Sequence, residues 1–363
     1  WNTLTPHSQE IVSKLDGGLT ITAYVNILGP NYAMFSFPDF IQRNREQFKL
    51  YERFKPEMKL KVVYYYDTIT LADGVAGENF AARLASRNET VHKAAKKMCE
   101  LFQLDSVRRV LSPEKVRELT DLEGERTFAW ELVRESGERT WLRTYDDPMN
   151  PFPGEAEISA AMKRMTLDVP KVGFVEGYGM RSIYDTRPRG YHFFAYKKDF
   201  RQALVNQGFE TVEIDLEQGI SEDVNILTIA DMREPFTENE EQVLAEYIAR
   251  GGNLYILGEP RRREVMNPLL NKYFGVELLE GTLVQYRLEW LQPDILNCMI
   301  TPMARELSYY FGLASGVMLP TAAGLEQILH RLQQLKQLLL FVVLHLHGVP
   351  LQHLLLVDFL CIS

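Results

Sequence analysis

Short apolar runs and helix-length amphipathic segments alternate along the chain, most regularly between residues 170 and 260. Residues 171–175 form an apolar run that predicts a strand, and 200–207 read as a helix-like segment closed by Gly208. Residues 210–216 predict a second strand, and 225–230 a buried third strand ending at Asp231. Thr237 and Glu240 open a helix in capping-box fashion, which runs to Arg250 and stops at Gly251 and Gly252. Residues 254–257 are the fourth strand. Such alternation demands right-handed crossovers and a mainly parallel, doubly wound sheet, with its ligand crevice beyond the carboxyl ends of the strands. Those ends carry Glu176, Gly177, Tyr178, Gly179, Asp231, Gly258 and Glu259.

The N-terminal half has its own periodicity. Thr5 and Pro6 mark a helix start, 19–25 a strand, 40–54 an amphipathic helix and 59–66 a second strand, which together predict a βαβ module. Residues 80–104 read as mostly helical. The runs 128–134 and 139–145 flank Gly137 as a β-hairpin. Pro148, Pro151 and Pro153 predict a linker, and 155–165 a helix leading into the second sheet. The expected organisation is an α/β domain at 1–150, linker and helix at 151–168, a doubly wound α/β domain at 169–290 and a packing segment at 291–328. The last expected segment is a Leu/His-rich tail at 329–363, which holds four of the seven histidines. Its apolar runs read as a transmembrane start, but His345, His347, Gly348 and Pro350 break them short of the roughly 20 residues a span needs. An artefactual or frame-shifted end fits the tail equally well.

Charge narrows the function. A net charge of -9, with basic residues interspersed among acids, argues against a nucleic-acid partner. Arg261, Arg262 and Arg263 are the tightest basic cluster and read as the solvated start of a helix. Cys99, Cys298 and Cys361 are too scattered for a disulfide framework or metal knuckle. The chain begins with Trp1, which reads as a piece of a longer protein.

Hydrolase and class I amidotransferase-like folds place Ser or Cys on a tight turn after a strand. Here the turns are Asp231, Met232, Arg233 and Gly258, Glu259, Pro260, with no nucleophile, and Pro260 removes a backbone N–H from any oxyanion hole. Gly177 and Gly179 suggest dinucleotide binding only weakly, since the third glycine and the following helix are missing. Two ligand chemistries stay open at the strand ends: a carboxylate set of Glu176, Asp231 and Glu259 for a divalent ion or sugar hydroxyls, as in a hydrolase- or amidotransferase-like enzyme, or stacking on Tyr178, Tyr184, Tyr191 and Phe193 in a carbohydrate- or peptide-binding module. His192 reads as a packing or surface residue. No cofactor motif or phosphate loop is spelled.

Four blocks together resemble one family. Residues 4–25, 170–179, 236–258 and 318–323 are similar to the extracytoplasmic region of GldG-like, gliding-motility-type ABC-2 transport auxiliary proteins, and the resemblance spans about residues 1–328. At Tyr178 and Met180 the chain departs from the family's usual His and Glu. The resemblance implies a non-catalytic domain on the periplasmic side of the cell inner membrane. It also implies membrane segments outside this sequence, and ABC permease and ATPase subunits as partners, with ATP hydrolysis in the ATPase.

Overall fold

The computed structural model describes residues 3–29, 38–68, 88–104, 109–147, 149–187, 190–258 and 260–284. It also describes four strands, at 295–298, 317–320, 325–327 and 338–341. The chain divides into two compact units, Trp1–Val169 with Lys197–Phe209, and Pro170–Tyr196 with Glu210–Ser363.

The first unit opens with α1 (Pro6–Ser13), where the Thr5 hydroxyl accepts from Ser8 N and Pro6 takes the first turn, which needs no N–H. Then follow β1 (Leu19–Asn26), α2 (Pro38–Glu52), β2 (Lys59–Tyr65), α3 (Val91–Leu101), β3 (Val110–Leu111) and α4 (Pro113–Arg117). The hairpin β4 (Phe128–Arg134) and β5 (Arg139–Arg143) leads to α5 (Glu155–Lys163). The predicted βαβ module and hairpin are one mixed sheet, β3-β2-β1-β4-β5, in which β1, β2 and β3 run parallel and β4 and β5 antiparallel. Within the expected helical stretch at 80–104, the helix described is α3, and residues 80–87 lie outside the described residues. The core gathers on Trp130, whose ring lies 4.6 Å from Phe128 and 6.3 Å from both Phe48 and Phe152.

The second unit carries β6 (Lys171–Val175), α6 (His192–Ala195), β7 (Glu210–Ile214), β8 (Val224–Ala230), α7 (Glu238–Ala249), β9 (Asn253–Leu257), α8 (Arg263–Phe274) and β10 (Val276–Leu278). Beyond these lie β11 (Ile295–Cys298), β12 (Val317–Pro320), β13 (Leu325–Gln327) and β14 (Leu338–Phe341). The main sheet is wholly parallel, ordered β14-β9-β8-β6-β7, and so bears out the expected doubly wound α/β fold. Leu227, Ile229, Leu254 and Ile256 bury against Leu244 and Tyr247 of α7 and Met266 and Leu269 of α8. The capping box of α7 forms as expected, with Thr237 and Glu240 each bonding the other's backbone N–H. β10 pairs with β13 and β11 with β12, both antiparallel, while the expected packed stretch at 300–307 lies outside the described residues.

β6 needs Gly173 because a Cβ there would come within 2.6 Å of Ile214 and 3.1 Å of Val224 on the flanking strands. Gly173→Ala is expected to cost about 1–3 kcal/mol through overpacking. A lower thermal midpoint with unchanged far-ultraviolet dichroism would register it.

The expected helix at 200–207 is not formed. Residues 204–206 make a single 3-10 turn, and Lys197–Phe209 belongs to the first unit although it lies between β6 and β7 in sequence. The cause is Asn206, whose side-chain amide donates to the carbonyls of Lys198 at 3.0 Å and Phe200 at 2.8 Å. Those carbonyls are thereby drawn away from a helical ladder. Charge holds the segment in place. Lys198 Nζ meets Glu125 at 2.8 Å, Arg201 meets Glu157 at 2.8 Å and its guanidinium lies 4.5 Å over the Tyr145 ring. Arg164 donates to the Val205 and Phe209 carbonyls, and Gly208, at φ +81°, turns the chain in the left-handed region although there is no helix for it to close.

Candidate functional site

In the order β7-β6-β8-β9 the connections from β6 and β8 leave in opposite directions, so the crevice of a doubly wound sheet falls at the carboxyl ends of these two strands. Glu176, Gly177, Tyr178 and Gly179 follow β6, and Asp231 follows β8. Glu259 lies outside the described residues.

The β6 turn is tightly left-handed, with φ of +82° at Gly177, +52° at Tyr178 and +66° at Gly179. Glycine takes this region freely, whereas tyrosine does so only when its surroundings hold it there. Three contacts hold Tyr178. Its carbonyl accepts from Arg233 N at 2.9 Å, its ring stands edge-on to Phe236 at 4.7 Å, and its hydroxyl bonds the Glu240 carboxylate. Burial, and then that carboxylate, push the Tyr178 hydroxyl well above its ordinary value. Burial works against the charge of Glu240 too, but its bonds from Tyr178 and Thr237 outweigh this and hold its carboxyl low.

Asp231 is also left-handed, at φ +55°, a conformation that aspartate tolerates better than most residues. It is 6 % exposed, and its N–H reaches the Leu257 carbonyl at 2.9 Å, which ties the β8 turn to β9. Its carboxylate receives Arg181 at 2.7 Å and the Tyr191 hydroxyl at 3.4 Å, while the Arg181 guanidinium lies 5.7 Å over the Tyr191 ring. Burial, followed by the Asp231 charge, drives the Tyr191 hydroxyl well above its usual range. The switch point is therefore filled by the protein's own side chains. Arg181 and Tyr191 come from the loop between β6 and α6, where tyrosines interleaved with three arginines are the available sequence signal.

Glu176 stands apart from Asp231 in its surroundings. It is exposed, and burial together with Glu213 and Asp215 pushes its carboxyl up, since neighbouring acids disfavour a further charge. Glu213, which sequence reading missed, accepts from the Ser182 hydroxyl and from Ile183 N at 3.1 Å, and so pins the start of the loop. Among the described residues no three His, Cys, Asp or Glu side chains gather closely enough to hold a metal ion. The aromatics find separate partners: Tyr178 lies on Phe236, Tyr191 on Phe174, and Tyr184 on Tyr196. His192 packs its ring 5.9 Å from Tyr196.

Asp231→Asn keeps the shape and the left-handed tolerance but removes the charge facing Arg181. It is expected to cost about 1–3 kcal/mol, the penalty of an incompletely met buried polar group. Urea unfolding of the variant would show an earlier midpoint at unchanged slope.

Residues 169–285 match the family model described as an ABC-type uncharacterized transport system. This agrees with the block resemblance over the second unit, and the family is one of auxiliary proteins of ABC-type transport systems. No curated protein matches the chain. Among the solved structures that match, one titled mmIFT52 N-terminal domain shares 18 % identity over 44 % of this chain and 69 % of its own, with a TM-score of 0.31. No helix among the described residues is long and apolar enough to cross a membrane.

Proposed function

We propose, with residues 169–285 taken as the auxiliary domain of an ABC-type transport system that their family match indicates, that the protein is a non-catalytic extracytoplasmic subunit of an ABC-2-type transporter. It aids assembly of the complex or handling of the exported substrate, as in gliding-motility-type systems. ATP hydrolysis falls to a separate ATPase, and the permease supplies the path through the membrane.

The observation that carries this reading is the filled switch point. Arg181 and Tyr191 both reach the Asp231 carboxylate where an enzyme of this architecture keeps an open cleft. The strand-end turns Asp231, Met232, Arg233 and Gly258, Glu259, Pro260 offer no Ser or Cys nucleophile. What stands exposed is the turn of Glu176, Gly177 and Gly179, with Tyr178 half-buried between them, and this turn is the surface offered for recognition.

The protein expressed from its whole gene, isolated by affinity from detergent-solubilised native membranes, is expected to bring down an ABC ATPase and a permease. Recovery of neither, with the protein soluble in the cytoplasm, would contradict the proposal. A hydrolase using strand-end carboxylates predicts turnover that Asp231→Ala abolishes, which a substrate panel on the purified protein would detect.

A further inference from the structure

We draw no further inference here: the strongest candidate, the open groove of about 570 Å³ between α8 and β10 lined by Arg263, Asn267, Asn271 and Leu279, carries none because nothing in the structure shows what covers it.

Discussion

Replacing Glu125 with alanine is expected to destabilise the first unit by about 3–5 kcal/mol, because it strands two cations around one buried site. Glu125 is 4 % exposed and takes both arms of Arg143 at 2.7 Å, in the bidentate geometry that guanidinium and carboxylate favour. Lys198 adds a third bond at 2.8 Å, from the segment 197–209. Removing the carboxylate leaves Arg143, itself 8 % exposed, facing Lys198 across a desolvated gap. Denaturant unfolding should give a lower midpoint with an unchanged slope. The pH dependence has a definite sign. Burial opposes ionisation of Glu125, but Arg143 and Lys198 outweigh it, so its carboxyl sits below the ordinary glutamate value. A depressed folded value gives stability that is present above the unfolded pKa and lost as pH falls through the folded one. Wild-type protein should therefore lose this contribution in the acid range below the ordinary glutamate value, while Glu125→Gln should show a flatter acid limb.

Trp130→Ala is expected to cost about 3–5 kcal/mol as well, by a different route. Trp130 is 1 % exposed on β4 and meets Phe48 of α2, Phe128 of its own strand and Phe152 ahead of α5. Truncation deletes the transfer energy of the indole and leaves a cavity walled by aromatic rings whose positions the sheet and helices fix. Trp130→Phe removes less volume and should retain more of the stability. Thermal unfolding of the two variants separates the cavity term from a general intolerance of change, since equal losses would mean that the volume removed does not set the cost.

Much of the fold was legible because it is written in local pattern. β1, β4, β5, β6, β8, α5 and α7 follow from apolar period, caps and glycine stops, and the capping box of Thr237 and Glu240 forms as spelled. The failures have separate physical causes, some local and some in partners distant in sequence. The segment 200–207 has helical composition, but Asn206 takes its carbonyls, and Glu125, 73 residues from Lys198, anchors it in the first unit. α8 was anticipated only as a start at Arg261–Arg263, since Pro268 inside it interrupts the pattern that a continuous helix would show. β14 was unforeseen, because a four-residue apolar run in a Leu-rich tail carries no register until β9 provides one.

The site was legible to a similar degree. Strand ends located Asp231 and the Glu176 turn, since alternation of strands and helices fixes where a parallel sheet presents its carboxyl ends. The ion pair that fills the switch point was not, because Arg181 lies in a loop whose course no periodicity describes. Glu213 escaped for the opposite reason. It sits within the predicted strand at 210–216, where alternation reveals a face but not that Ser182 and Ile183 will fold back onto it.

On the proposed function, the strand-end turn of the second unit is a recognition surface within a transport complex. A photoreactive residue placed at Glu176, which is exposed beside that turn, tests it in native membranes with the protein expressed from its whole gene. An adduct with a permease, ATPase or exported substrate of an ABC system, identified by mass spectrometry, is the expected result. Adducts with none of these from Glu176, while the same probe at Lys272 on α8 captures a transporter subunit, would contradict it.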